Sequence, residues 1–150
     1  MSRSFLNLNY HLVFSTKQRA PWLQPDVASR LHPYLGGIIR KDGGCPLAIG
    51  GMPDHLHILL SLGVTVPITD TIRNIKAISS GWIHREFPAM PEFAWQRGYG
   101  LFTVSESRVE KVEAYIHRQA EHHRTKSFQE EFVKLLQKHN IDHEPQYLWD

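Results

Sequence analysis

The sequence predicts an α+β fold of the ferredoxin-like kind: β-α-β-β-α-β, an antiparallel sheet with helices on one face and extra C-terminal helices. Three observations predict it. Short runs rich in β-branched and aromatic residues occur at 8–15, 45–52, 54–63 and 101–105. Helix-period stretches fill the first and third gaps between them. Two further helix-period stretches, VEKVEAYIHRQAEHH and SFQEEFVKLLQKH, follow the last strand.

The first run, LNYHLVFS, is a strand, and Pro21 and Pro25 punctuate the loop after it. A helix can start at Asp26, with Val27, Leu31, Leu35, Ile38 and Ile39 on one face. Pro33 falls inside it and predicts a kink or an early break. KDGG ends that helix, and CPLAIGGM and DHLHILLSLG read as paired strands of a hairpin. The next helix places Ile68, Ile72, Ile75, Ile78 and Ile83 on its apolar side. PAMPEFAWQRGYG is a loop and LFTVS the fourth strand. Ser105 or Ser107 can cap one long helix running through VEKVEAYIHRQAEHH. Ser127 and Glu130 form a capping-box pattern for a last helix, SFQEEFVKLLQKH. Helices on one side leave the other sheet face open to carry a site.

The 150 residues suit one domain, read here as 1–150, and can bury a core without staples. The single Cys45 excludes an internal disulfide framework and a cysteine-based zinc site. The N-terminus has no secretory pattern, and no apolar run approaches the roughly 20 residues that span a bilayer. A cytoplasmic protein is expected, with no membrane partner and no small-molecule cofactor. The charge of +2 and pI near 8.8 permit nucleic-acid binding without arguing for it. Ten histidines point to metal or proton chemistry.

Two motifs carry that chemistry. In a strand, His55 and His57 project from one face while Leu56, Ile58 and Leu60 enter the core. Two imidazoles at that spacing can chelate one ion, although an isolated His-x-His is more often a pair of polar surface residues. In the long helix, Tyr115 and Gln119 are four apart and share a face, with His122 a near-turn further on. A phenol is a poor nucleophile unaided, and a metal ion that polarises a phosphodiester supplies the help. Alone, Tyr115 would read as a packing residue.

In this order and frame, His55-Leu56-His57 followed by Tyr115 and Gln119 resembles the HUH-type single-tyrosine transposases, the single-strand DNA enzymes of compact insertion sequences and of REP-associated elements. The opening Tyr10-His11-Leu12-Val13-Phe14-Ser15-Thr16-Lys17 with Arg19 is similar to the family's first strand. So are Met52-Pro53-Asp54, Ser79-Ser80, Trp95-Gln96, Gly98-Tyr99-Gly100, His122-His123, Ser127-Phe128, Glu130-Glu131 and Tyr147-Leu148-Trp149. The one departure is Gln18-Arg19, where a tyrosine usually stands between the lysine and the arginine.

The resemblance implies a DNA transposase that cuts single-stranded DNA at hairpin ends. Tyr115 is its nucleophile, forming a 5′-phosphotyrosine and a free 3′-OH, and a second 3′-OH resolves the link. It implies His55, His57 and Gln119 as ligands of a divalent metal, Mg2+ or Mn2+, and a homodimer in which the tyrosine helix of one subunit can serve the histidines of the other. For DNA contacts the candidates are Lys17, Arg19, Arg73, Lys76 and Arg118, with Lys76 and Arg19 foremost. Trp22, Trp82, Trp95 and Tyr99 are candidate stacking aromatics. Two other readings remain at this point. One is a metal-dependent phosphodiesterase in which water attacks; the other is a nucleic-acid-binding domain with no catalysis.

Overall fold

The structure is a computed structural model that describes residues 4–145, 148 and 149. Tyr147, part of the tail motif read from the sequence, lies outside the described residues. The order is β1 (Asn9–Ser15), α1 (Pro25–Lys41), β2 (Cys45–Met52), β3 (His55–Ser61), α2 (Ile68–Glu86) and β4 (Gly100–Val104). Then come α3 (Val109–His117), α4 (Gln119–His122) and α5 (Phe128–Lys138). The four strands form one sheet in the order β2-β3-β1-β4, every neighbouring pair antiparallel. The predicted ferredoxin-like α+β core is therefore present.

Register places the chemistry. β1 pairs with β3 so that Val13 opposes His57 and Ser15 opposes His55, while Leu12 opposes Ile58 and Phe14 opposes Leu56. Strand alternation then sends Leu12, Phe14, Leu56, Ile58 and Leu60 into one core with Leu31, Leu35 and Ile39 of α1 and Ile72, Ile75 and Ile83 of α2. His55 and His57 leave from the other face. β2 and β3 are joined tightly, with Met52 opposite His55 and only Pro53 and Asp54 between.

Several expectations change. Helix α1 starts at Pro25, one residue earlier than read, and runs through Pro33 to Lys41 without ending. Burial of Leu31 and Leu35 on either side of Pro33 holds the helix together despite the missing N–H. Gly43, at φ +84, then takes the left-handed position that stops the helix. In α2, Ile78 is exposed rather than core, and Ser79 and Trp82 take the inward positions.

The second sheet face is covered, not open. Ile116 of α3 packs on Ala48 and Leu59. Phe128, Phe132 and Leu136 of α5 pack on Val13 and Phe102. These C-terminal helices bury their apolar stripes on this face. The long helix read through 109–123 is also broken: Arg118, at φ −104 and ψ 23, separates α3 from α4. The expected caps differ too. Neither Ser105 nor Ser107 caps α3, whose first residue follows a short 3-10 turn at Glu106–Arg108. The capping box of α5 is present as read, with the Ser127 hydroxyl accepting from the Glu130 N–H.

Candidate active site

His55 and His57 are fully buried between the sheet and the C-terminal helices. Asp54, at the hairpin turn, accepts from His55 Nδ1 at 2.7 Å. A carboxylate only accepts, so His55 Nδ1 carries the hydrogen and Nε2 faces inward. Nε2 of His55 lies 3.0 Å from Gln119 Oε1 and 3.3 Å from Glu131 Oε1. His57 Nε2 lies 2.9 Å from the same Glu131 oxygen, and its Nδ1 is 2.8 Å from His11 Nε2.

Gln119 is buried at the start of α4, one helical turn beyond Tyr115, and its Nε2 donates to the Tyr115 carbonyl oxygen at 3.4 Å. The break at Arg118 thus keeps the two residues adjacent. The Tyr115 hydroxyl donates to Glu131 Oε2 and lies 3.4 Å from His122 Nε2. Its ring stands edge-on to His57, with centroids 5.6 Å apart. The structure therefore unites Tyr115, His55, His57 and Gln119 within one chain.

Glu131 is the residue that sequence reasoning placed without a role. It appeared only as part of a matching tail pattern, yet its side chain is the hub of the site, facing His55, His57, His122 and His123. Its position on the inward stripe of α5, between Phe128 and Phe132, was the available signal: a carboxylate among apolar neighbours is buried only with partners. Burial alone would raise its pKa, but hydrogen bonds from His123, His55 and His57 hold it far below the usual carboxylate range. For His55, burial acts downward, and hydrogen bonds to Asp54 and Glu131 overcome it to lift the imidazole to about 9. Burial and the neighbouring His57 push His11 down to about 3. Burial, then the Glu131 charge, raises the Tyr115 hydroxyl well above its ordinary value.

The donor set fits a divalent ion. His55, His57 and Glu131 each offer one ligand atom, all within 4.8 Å of one another, and His122, His123 and Glu131 form a second such group around the same carboxylate. Inward-facing nitrogen lone pairs and carbonyl or carboxylate oxygens converge on a buried spot, where only protons or a cation reconcile them. His55 Nε2, His57 Nε2, Gln119 Oε1 and Glu131 Oε1 approach one another to 2.9–3.3 Å in the pairs His55–Gln119, His57–Glu131 and His55–Glu131, and these residues would hold the ion.

The basic candidates are scattered. Arg118 is exposed and lines a cavity of about 450 Å³ with Lys111, Ala114, Tyr115, Glu121 and His122. Lys17 and Arg19 sit in a short 3-10 turn directly after β1, where the Thr16 N–H donates to the Asp54 carbonyl oxygen. Lys76 instead points into its own protein. Its ammonium donates to the carbonyl oxygens of Gln96, Arg97 and Gly98 at 2.6, 2.9 and 3.0 Å, and burial lowers its pKa to about 8. Arg73 pairs with Asp70 on α2, the helix packed on the opposite sheet face, and so stands apart from the site. Of the aromatic candidates, Trp82 and Trp95 are core residues, Trp22 is half-buried and Tyr99 is exposed.

The sequence pattern of the IS200-like transposases matches residues 4–119. The chain belongs to that family. This transposase is 31% identical to the ISDra2 transposase TnpA of Deinococcus radiodurans over 117 residues, 75% of this chain and 84% of that one. Among solved structures, it is similar to a Deinococcus radiodurans R1 transposase, with a TM-score of 0.66 and 30% identity over 79% of this chain and 95% of the other. It shares its fold with a REP-associated tyrosine transposase bound to a REP hairpin, at a TM-score of 0.60 and 15% identity, covering 82% of this chain and 73% of that one. The resemblance to single-tyrosine transposases read from the sequence is borne out. The match ends at residue 119, so His122, His123 and Glu131 of this transposase lie beyond it. Among the described residues, no helix is long and apolar enough to cross a membrane.

Proposed function

We propose that this transposase cuts and rejoins single-stranded DNA through a 5′-phosphotyrosine at Tyr115, at a centre where His55, His57, Gln119 and Glu131 hold a divalent cation, magnesium or manganese. The observation that carries the reading is the meeting of nucleophile and ligand cluster on one carboxylate: Glu131 faces His57 with one oxygen and accepts from the Tyr115 hydroxyl with the other. When bound, the ion would polarise a phosphodiester oxygen and stabilise charge at the attacked phosphorus.

The chain's own groups account for the rest. Burial keeps the Tyr115 phenol protonated at rest, so the proton must leave as oxygen attacks phosphorus, and the hydrogen bond to Glu131 Oε2 orients the hydroxyl beside the ligand cluster. The Tyr115 O–H and the P–O3′ bonds break, the tyrosine O–P bond forms, and the departing 3′ oxygen takes up a proton. A phenolate is a better leaving group than an alkoxide, which suits the return step in which a 3′-OH displaces the tyrosine.

The strand would approach along the cavity at Tyr115, where Arg118 and Lys111 offer positive charge. Lys17 and Arg19 would contact DNA beside the hairpin turn that carries Asp54. Lys76 would act by shaping the 96–98 loop, and Arg73 would add only diffuse charge. Hairpin-ended DNA is supported as substrate by the fold shared with a transposase bound to a REP hairpin. A homodimer, implied by the family, would bring together two sites that are each complete in one chain. Acting on DNA, the enzyme would work in the cytoplasm.

The test is to incubate the protein and its Tyr115→Phe variant with labelled hairpin-ended single strands and manganese. Wild type should give a covalent adduct on a denaturing gel, and the variant should bind DNA without forming it. An adduct mapped to another residue, or cleavage by the Phe variant, would mean that water or a different group attacks.

A further inference from the structure

We propose that the cavity between β4, α3 and α5 is a base-binding subsite, in which His139 stacks on the base of the single-stranded DNA nucleotide next to the attacked phosphate. The inference rests on the reading that this transposase takes single-stranded DNA at Tyr115, and it names a residue that grips the strand beside the cut.

The cavity holds about 390 Å³, within the range of pockets that enclose small ligands. It lies toward the N-terminal end of α3, whereas the cavity with Arg118 lies toward the C-terminal end, and Lys111 and Tyr115 line both. A strand whose phosphate meets the Tyr115 hydroxyl therefore has a cavity on each side, and one neighbouring nucleotide falls in this one. His11 also lines it, and His11 Nε2 lies 2.8 Å from His57 Nδ1, so the cavity adjoins the histidine pair of β3.

Its chemistry fits a nucleotide. Arg108, Lys111 and Lys138 line it, all three exposed, and among the described residues no aspartate or glutamate does. Three cations around one opening complement a phosphate chain. The cavity also carries an aromatic pair: the His139 ring stacks on Phe102, with centroids 4.4 Å apart and planes at 21°. Phe102 is buried and His139 is exposed, so the pair turns an imidazole face outward. Every base has a π-face that can stack on such a ring, which makes the grip tolerant of sequence.

Local structure builds the platform. Strand alternation sends Phe102 to the same sheet face as Val13, and Phe132 and Leu136 of α5 pack over both. His139 ends α5, and its N–H donates to the Leu135 carbonyl oxygen at 3.1 Å, which sets it one turn from Leu135 on the same side. Arg108, Lys111 and Tyr115 recur at helical spacing at the start of α3. Leu135, Lys138 and His139 follow the family match that ends at residue 119, so α5 of this chain supplies one wall.

The experiment titrates the full-length protein, without metal, with a thymidine tetranucleotide and with the same sugar-phosphate chain lacking its bases. The tetranucleotide should bind about tenfold more tightly than the abasic chain. His139→Ala should abolish that difference and leave affinity for the abasic chain unchanged, and His139→Phe, which keeps a stacking ring, should restore it. Equal weakening of both probes by His139→Ala, or a difference that survives it, would overturn the base site. With a cleavable hairpin-ended strand, an abasic nucleotide next to the cut should slow adduct formation by the wild type and have no further effect in His139→Ala. Independent slowing by the two changes would place that base elsewhere and overturn the assignment. The titration involves no cutting, so a missing Tyr115 adduct would defeat the catalytic reading without touching this one.

Discussion

Oε2 of Glu131 accepts the Tyr115 hydroxyl proton, while Oε1 of the same carboxylate lies 2.9 Å from His57 Nε2. One side chain on α5 thereby couples the Tyr115 hydroxyl on α3 to the histidines on β3. The fold keeps both contacts by burying α5 across the sheet face through Phe128, Phe132 and Leu136.

Replacing Glu131 should therefore cost stability as well as activity. Glu131→Ala strips the buried, raised-pKa His55 of a charge partner and leaves a void. Its expected cost in metal-free protein is about 3 kcal/mol, read from the midpoint of urea unfolding. Glu131→Gln keeps the volume and should lose less stability, yet form little phosphotyrosine adduct. An unchanged unfolding midpoint for the alanine variant would contradict the hub role.

Ser127→Ala tests whether the site depends on α5 as a unit. The Ser127 hydroxyl accepts from the Glu130 N–H, and the Glu130 carboxylate accepts from the Ser127 N–H at 3.3 Å. Losing this cap should cost about 1 kcal/mol. Because Phe128 stacks on His55 at 4.3 Å in the first turn of α5, cation affinity should fall as well. A stability loss with wild-type calorimetric metal affinity would separate the helix from the centre.

Gly50 on β2 sets how closely α3 approaches the sheet. A Cβ there would sit 2.6 Å from the Ile116 carbonyl oxygen and 2.9 Å from Ile116 Cγ2. Gly50→Ala must push α3 outward, at a cost of about 1–3 kcal/mol. Tyr115, the residue before Ile116, moves with it, so adduct formation should slow more than DNA binding weakens. A variant that cleaves at the wild-type rate would show that this approach does not matter.

Lys76 and Arg118 should respond differently to salt. All three ammonium hydrogens of Lys76 meet carbonyl oxygens of the 96–98 loop, whereas Arg118 is exposed beside Tyr115. Arg118→Ala is expected to lower the slope of log affinity against log salt by about 1. Lys76→Met should leave the slope unchanged and speed hydrogen exchange at the amides of Arg97 to Tyr99. A smaller slope for Lys76→Met would instead assign it a phosphate contact.

The sequence by itself determined the sheet, the strand carrying the histidines and the family. Alternation in β3 was enough to separate His55 and His57 from Leu56, Ile58 and Leu60, because strand period is a local property that any register preserves. The Ser127–Glu130 cap was legible for the same reason: its partners are three residues apart. Tertiary structure decided which surface each face meets. Local pattern left the histidine face open; packing closed it, because the stripe Phe128, Phe132 and Leu136 is buried against Val13 and Phe102. That closure brought Glu131 to histidines more than seventy residues earlier in the chain, and turned His123 inward. It also turned Lys76, a basic residue by composition, into an internal donor. Contacts of such separation depend on how whole elements dock, which residue spacing along the chain does not encode.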